Sequence, residues 1–247
     1  LSYGHERRSS AELTLPHPRI LERPFVQIPL AELRGEPATD TEGMRRIEGT
    51  AWAQPEPSIR AFVAVDVSDE LRRQVARVQA TLRPVARDAK WIDPKLCHLT
   101  LKFLGYVPSA ALPGIADACR AAVAGTRPFE LHFGGVSAFP QERQPRVLWI
   151  GLSAGLDELS SLQQSVAQRL AGVGFAPEER TFSPHLTVGR FRQPPRGAEA
   201  AAIGEVIQRC RHAKFATVSI TTLQLMRSML RPSGPEYSVL ESFPLGR

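Results

Sequence analysis

The tripeptide His-Leu-Thr occurs twice in this chain, each time inside a short apolar run that is typical of a β-strand. The first copy lies in CHLTLKFLG at residues 97–105, and the second lies in PHLTVGRFR at residues 184–192. Each copy follows a strand-like and a helix-like segment and precedes another helix and another strand. This repeated order predicts an internal duplication, in which each lobe carries one His-x-Thr motif and a pseudo-two-fold axis brings the two motifs together.

The predicted elements of the first half are a strand at 60–67, a helix from the N-cap Ser68 to Leu82, a strand at 97–104, a helix at 109–124 that Pro113 and Gly114 break early, and a strand at 128–139. Those of the second half are a strand at 146–153, a helix at 156–170, a strand at 184–191, a helix at 198–211 and a strand at 215–226. A last strand at 236–243 follows the turn RPSGPE and is predicted to close a hairpin.

Composition excludes several classes of protein. The 247 residues are 43% hydrophobic, which is enough for one large core or two smaller lobes. No apolar run has the length of a membrane span and no secretory signal is visible, so we expect a cytoplasmic protein that does not bind membranes. The odd number of cysteines, three without CxxC spacing, argues against disulfides and a cysteine zinc site and favours buried thiols.

Charge divides the chain unevenly. The net charge is +6, and the acidic excess of residues 1–58 leaves +8 on residues 59–247. Residues 1–58 contain scattered prolines and no sustained periodicity, which predicts a disordered or poorly structured N-terminal extension followed by one domain at 59–247. A basic domain suits a substrate that carries phosphate.

Strand alternation predicts which motif residues face a cleft. Cleft-facing positions are predicted for His98, Thr100, Lys102, His185 and Thr187, and core positions for Cys97, Leu99, Leu101, Phe103, Leu186 and Val188. If the lobes face each other, the cleft therefore contains two imidazoles and two hydroxyls.

This set of side chains matches acid–base chemistry at phosphorus. Histidine titrates near neutral pH, so one imidazole can accept a proton from the nucleophile while the other donates a proton to the leaving oxygen. Threonine hydroxyls two residues away can donate hydrogen bonds to the phosphate oxygens. We interpret His132 and His212, which lack this pattern, as structural residues. The chain has no phosphate-binding GxxxxGK[ST] loop and no GxGxxG motif, and threonine is a poor zinc ligand, so we expect no cofactor and no metal.

Several segments together resemble a known family. The paired HLTLKFLG and HLTVGR, the opening RAFVAVDVS, the segment KWIDPKLCHLT and the closing SMLRPSGPEYSVLESFPL resemble the two-histidine (2H) phosphoesterase superfamily. Within it they are most similar to the RNA 2',3'-cyclic phosphodiesterases, also described as 2'-5' RNA ligase-like proteins. The resemblance covers about residues 59–247.

The resemblance implies a bilobal α+β fold with two antiparallel sheets around a central cleft. It implies hydrolysis of RNA 2',3'-cyclic phosphate ends to 2'-phosphomonoesters, with reversible 2'-5' joining of RNA, such as tRNA halves, as a second reaction. Separately, we expect the protein to be a monomer. His98 would donate a proton to the departing 3' oxygen, His185 would activate the nucleophile, and Thr100 and Thr187 would hold the phosphate. Arg190 would add charge-assisted bonds, although simple alternation places it on the core side, so it needs a bulge or a strand end to reach the cleft.

Two alternatives stay open at this point. One is a cyclic phosphodiesterase for a small nucleotide, such as a cyclic ADP-ribose phosphate. The other is an inactive RNA-binding module that keeps the basic cleft. The sequence also leaves open which histidine is the acid and which is the base, because a pseudo-symmetric pair can exchange roles with the direction of the reaction.

Overall fold

The computed structural model describes residues 58–178, 181–231 and 234–246, together with the backbone of residues 8–9 and 14–15. The short strands β1 (Arg8–Ser9) and β2 (Thr14–Leu15) pair antiparallel. The predicted poorly structured extension covers residues 1–58. Apart from β1, β2 and Ser58, where the next strand begins, these residues lie outside the described part of the chain. That prediction therefore stays a prediction.

The described part of the chain after residue 57 contains both strands and helices. Its strands are β3 (Ser58–Asp66), β4 (Ala89–Trp91), β5 (His98–Pro108), β6 (Phe129–Phe139), β7 (Val147–Ala154), β8 (Leu186–Phe191), β9 (Lys214–Ile220), β10 (Thr222–Arg231) and β11 (Gly234–Pro244). Its α-helices are α1 (Asp69–Leu82), α2 (Leu112–Val123), α3 (Leu156–Ala171) and α4 (Gly197–Cys210). Short 3₁₀ turns occur at Pro94–Leu96 and Ser109–Ala111.

The described strands after residue 57 form two antiparallel sheets. The first sheet has the order β11-β10-β3-β5, and the second has the order β4-β8-β7-β6-β9. The predicted α+β class is therefore confirmed. The two His-x-Thr motifs lie in different sheets, β5 in the first and β8 in the second.

In each half of the sequence, the last predicted strand pairs in part or in full with the sheet of the other half. Strand β6 belongs to the first half of the sequence but pairs with β7 in the second sheet. The predicted single strand at 215–226 is wrong: its first part is β9 of the second sheet, and its second part is β10, which pairs with β3 in the first sheet. The ladders change partners around Thr221. Both parts are rich in β-branched and apolar residues, so the local sequence contains no turn signal at the crossover.

The helices pack across the lobes. Helix α1 follows a strand of the first sheet but contacts β8 and β9 of the second, and α3 follows a strand of the second sheet but contacts β5 of the first. As predicted, the Ser68 side chain caps α1 by accepting a hydrogen bond from the Leu71 N–H at 3.3 Å. The buried apolar residues of both lobes form one continuous core.

The predicted helix at 109–124 is present, but its predicted break is wrong. A 3₁₀ turn covers Ser109–Ala111, and α2 begins at Leu112, so Pro113 lies in the first helical turn. Proline is tolerated there because the first N–H groups of a helix have no partner inside the helix.

The cysteines confirm the prediction of buried thiols at two positions. Cys97 and Cys119 are buried in the core, and burial raises the pKa of each thiol to about 12. Cys210 is only partly buried. In the part of the chain that is described, no helix has the length and apolar character required to cross a membrane.

Candidate active site

The two motif histidines are held in the same way. His98 is the first residue of β5, and its Nδ1 lies 2.8 Å from the carbonyl oxygen of Leu96. His185 immediately precedes β8, and its Nδ1 lies 2.7 Å from the carbonyl oxygen of Ser183. A carbonyl oxygen can only accept a hydrogen bond, so Nδ1 carries the proton in both rings. In each histidine the nitrogen left for chemistry is therefore Nε2.

A contact between a side chain and a carbonyl group joins the two motifs. The Cys97 thiol, which directly precedes His98, lies 4.0 Å from the carbonyl oxygen of Thr187. Tyr237 of β11 packs against His98 with ring centroids 5.1 Å apart; burial raises the pKa of its hydroxyl, and the positive charges of Arg60 and Arg190 oppose this shift. The fold thus brings one motif from each sheet to the same place.

Aromatic rings enclose His98. Phe62 of β3 stacks on the imidazole with a centroid distance of 4.7 Å, and Tyr237 packs edge-on against it. Burial lowers the pKa of His98 from its ordinary value of 6.5. The hydrogen bond to Leu96 and the negative charge of Asp66 oppose this shift, whereas the charge of Arg72 adds to it.

A different pair of rings borders His185. Phe139 packs edge-on against the imidazole at 4.9 Å, and Trp149 lies 6.3 Å away by ring centroids. Burial again lowers the pKa from 6.5, the bond to Ser183 opposes the shift, and the positive charge of Arg190 lowers the pKa further. Both histidines are therefore biased toward the neutral form.

Strand β5 contains a bulge directly after Thr100. Thr100 pairs with Ala64 but Lys102 pairs with Val63, so Leu101 is an extra residue and the alternation shifts by one. The predicted cleft position of Lys102 is consequently wrong, because its side chain is buried and donates a hydrogen bond to the Ala176 carbonyl. The predicted core position of Phe103 is also wrong. Its ring is 55% exposed on the face that carries His98.

Strand β8 contains the corresponding bulge. Thr187 pairs with Trp149 and Gly189 pairs with Leu148, so Val188 is the extra residue. Arg190 thereby turns to the face of Thr187 and donates a hydrogen bond from Nη2 to the Thr187 hydroxyl at 3.4 Å. This is the bulge that Arg190 requires to reach the cleft. Lys90 of β4 pairs directly with Arg190 and so lies on the same face.

Two glutamines satisfy the bulged backbone. Gln79 of α1 is buried and donates from Nε2 to the Val188 carbonyl at 2.9 Å. Gln163 of α3 donates to the Leu101 carbonyl at 3.5 Å. Each helix therefore supports the bulge of the other half's motif.

The site residues that sequence reasoning did not identify come mostly from outside the motifs. Phe62 lies in the predicted strand at 60–67, and Tyr237 lies in the C-terminal segment SMLRPSGPEYSVLESFPL. Neither has a spacing that links it to His98, because the contact depends on sheet pairing. Thr100 and Thr187 are half-buried on the predicted faces. Outside the motifs, His132 is half-exposed and its Nδ1 lies 3.0 Å from the Thr217 hydroxyl.

The site offers donors for an anion rather than ligands for a metal. Within residues 58–178, 181–231 and 234–246, no three side chains of His, Cys, Asp or Glu come together as a metal-binding group. The two motifs, which are in contact through Cys97 and Thr187, instead contribute two imidazoles, two hydroxyls and a guanidinium. Such a set can bind a phosphate and move protons on two sides of it.

The chain is similar to known proteins. Residues 67–229 match the model of the 2'-5' RNA ligase superfamily. The RNA 2',3'-cyclic phosphodiesterase of Methanothermobacter thermautotrophicus is 36% identical over 187 residues, which cover 76% of this chain and 99% of that protein. The protein of the same name from Archaeoglobus fulgidus is 34% identical over 185 residues, which cover 75% of this chain and 99% of that protein.

Solved structures agree with the fold. A crystal structure of a Thermus thermophilus protein matches with a TM-score of 0.61 and 30% identity, covering 76% of this chain and all of that one. The crystal structure of E. coli LigT complexed with 3'-AMP matches with a TM-score of 0.62 at 21% identity, covering 77% of this chain and all of that one, and supports the fold alone. With its paired His-x-Thr motifs at the junction of two antiparallel sheets, the chain belongs to the 2'-5' RNA ligase superfamily.

Proposed function

We propose that this chain is an RNA 2',3'-cyclic phosphodiesterase that converts a terminal cyclic phosphate to a 2'-phosphomonoester. The observation that carries the proposal is the matched pair His98 and His185, each with Nδ1–H bonded to a carbonyl two residues earlier and with Nε2 left for substrate. Relatives of that name cover three quarters of the chain and nearly their own full length.

In the proposed reaction, water attacks phosphorus and the bond from phosphorus to the 3' oxygen breaks. Neutral His185 takes a proton from the water at Nε2, and protonated His98 gives its Nε2 proton to the departing 3' oxygen. The product carries a 2'-phosphate and a free 3'-hydroxyl. Two histidines with fixed tautomers suit this transfer, because each presents the same nitrogen to the substrate.

The remaining cleft residues would stabilise the charge on the phosphate. Thr100 and Thr187 would donate their hydroxyl protons to non-bridging oxygens. Arg190, already within reach of the Thr187 hydroxyl, would add a charge-assisted bond from its guanidinium. The environment of low polarity around both histidines strengthens these interactions.

The same groups can run the chemistry with another nucleophile. When an RNA 5'-hydroxyl replaces water, its attack on the cyclic phosphate forms a 2'-5' phosphodiester, and the reverse step regenerates the cyclic phosphate. The two halves of a cleaved tRNA would supply such ends. One chain provides both histidines, so we propose that a monomer is sufficient, and an RNA substrate of this kind supports a cytoplasmic place of action.

The test uses the purified full chain, excess EDTA and a short RNA that ends in a 2',3'-cyclic phosphate. We expect the 2'-phosphate as product, and we expect His98→Ala and His185→Ala each to lower kcat/KM by at least about 100-fold. His132→Ala is the matched control, since it removes a half-exposed histidine outside the cleft. Unchanged activity in both motif variants, or a 3'-phosphate product, would overturn the proposal.

A further inference from the structure

The face of the first sheet that carries His98 continues into an exposed patch of aromatic and basic side chains. Phe103 is 55% exposed and Tyr106, three residues further along β5, is 71% exposed. Arg60 of β3 lies beside them, with its guanidinium 5.9 Å from the centroid of the Phe103 ring. Arg60 also donates a hydrogen bond to the Ser228 hydroxyl at 2.9 Å, which fixes its position. We name Arg60, Phe103 and Tyr106 the outer platform.

Sheet register places the outer platform in line with the candidate active site. Phe62 pairs with Phe103, and Arg60 pairs with Tyr106, so both pairs share the face of His98. The two rows are two residues apart on β3, or about 7 Å. Ring centroids are 4.7 Å apart from His98 to Phe62 and 6.0 Å apart from Phe62 to Phe103. A continuous path of rings thus leads away from the catalytic nitrogen.

We propose that the outer platform binds the RNA immediately 5' of the terminal nucleotide, with the penultimate base stacked on Tyr106 and a backbone phosphate held by Arg60. This inference rests on the proposed function. A 2',3'-cyclic phosphate occupies both hydroxyls of the last ribose, so the RNA can leave the cleft only through its 5' side. The outer platform begins where that terminal nucleotide sits beside His98.

The chemistry of the outer platform fits single-stranded RNA. Exposed aromatic rings stack with any base, and a neighbouring guanidinium binds the phosphate that links successive nucleotides. The exposed ring of Tyr106 offers a flat face on which a base can stack. The consequence is a substrate preference for oligonucleotides over mononucleotides.

The experiment compares hydrolysis of a mononucleoside 2',3'-cyclic phosphate with that of a dinucleotide and a pentanucleotide that have the same terminal nucleotide and end. For the unmodified full chain we expect kcat/KM to rise from the mononucleotide to the dinucleotide. Tyr106→Ala should lower kcat/KM for the dinucleotide about 10-fold and leave the mononucleotide unchanged. Tyr106→Phe should keep the preference, because stacking needs the ring and not the hydroxyl.

Two controls make the result specific. Val173→Ala changes an exposed apolar residue beyond α3 and should leave all three substrates unchanged. Arg60→Gln should reduce the dinucleotide preference and weaken its dependence on salt. Equal kcat/KM for all substrates in the unmodified chain, or an equal loss on all substrates in Tyr106→Ala, would overturn the inference. A change of oligomeric mass in Tyr106→Ala without a change in substrate preference would overturn it too, and would make the patch an interface between copies. Absence of hydrolysis of every substrate would instead reject the proposed function.

Discussion

The two motif strands have the same backbone plan but present different chemistry. Both carry a bulge after the threonine, and both bulged carbonyls accept a hydrogen bond from a helix glutamine. After the bulge, the first strand places Phe103 on the cleft face where the second strand places Arg190. At this position the first lobe therefore offers an aromatic ring, and the second lobe offers a cation.

The positions that face the core differ as well. In the first strand this position is Lys102, whose ammonium group bonds to the Ala176 carbonyl in the segment between α3 and β8. In the second strand it is Gly189, where a Cβ atom would lie 3.1 Å from the ring of Trp91. The two lobes thus share the backbone geometry that positions the histidines, while the side chains around it differ.

Removal of the positive charge of Arg190 should have the largest effect on catalytic activity. We expect Arg190→Met to lower kcat/KM for an RNA cyclic phosphate roughly 100-fold, because a charge-assisted bond to phosphate contributes up to ~3 kcal/mol. Phe103→Leu, at the matching position of the first strand, should lower it no more than about 10-fold, since it removes stacking and no charge. Equal losses of kcat/KM in the two variants would show that Arg190 does not contribute more to catalysis than Phe103. Steady-state kinetics on one RNA substrate measure both.

Replacement of Thr100 and replacement of Thr187 should reduce activity by more nearly equal factors. We expect Thr100→Val and Thr187→Val each to lower kcat/KM about 10-fold, since each removes one hydroxyl donor to the phosphate without a change of shape. The Thr187 variant also takes a partner from Arg190, so its loss should be the larger. Thr81→Val, on the exposed face of α1, is the control and should leave activity unchanged. A larger loss at Thr100 would contradict this order.

Gln79 and Gln163, which donate hydrogen bonds to the two bulges, can be compared by their contributions to the stability of the fold. Gln79→Leu leaves the Ile92 carbonyl without its side-chain donor and weakens the support of the Val188 carbonyl, so we expect the free energy of unfolding to fall by about 1–3 kcal/mol. Gln163→Leu should cost less, because its bond is longer and less buried. Urea denaturation followed by circular dichroism measures both. If Gln163→Leu proved the more destabilising, the idea that the second bulge depends more on its helix would be wrong.

The smallest expected effect is a shift in the pH profile. Burial lowers the pKa of both histidines below 6.5, so both limbs of the bell-shaped kcat/KM profile should lie below that pH. A base must be neutral and limits the acid limb, whereas an acid must be protonated and limits the alkaline limb. Asp66→Asn removes an anion that favours protonated His98 and lowers its pKa further. If His98 is the acid, the alkaline limb moves to lower pH.

The same variant decides between the two assignments. Movement of the acid limb instead would show that His98 is the base and His185 the acid. Arg190→Gln acts with the opposite sign on the other histidine, because loss of a cation raises the pKa of His185. If His185 is the base, the acid limb should then move to higher pH. Profiles of kcat/KM between pH 4 and 9, measured with the same RNA, show whether each of the two variants moves the acid limb or the alkaline limb.

Local sequence was sufficient for most of the elements. Ser68 and the apolar spacing after it define α1, and the β-branched runs define the strands, because these patterns depend on contacts within a few residues. The pairing of β6 with β7 and the division of 215–226 between two sheets were not predictable in this way. Strand partners are chosen by long-range packing, which leaves no mark in the strand itself.

The same distinction between local sequence and long-range packing applies to the candidate site. The sequence by itself determined the two histidines, the two threonines and the duplicated order of elements, because His-x-Thr on a strand forces both side chains to one face. Only the tertiary structure decided that Lys102 is buried, that Phe103 and Arg190 lie on the faces of His98 and Thr187, and that Phe62 and Tyr237 enclose His98. Bulges and cross-strand contacts arise where separate strands and helices meet, and their energies depend on neighbours far away in the chain.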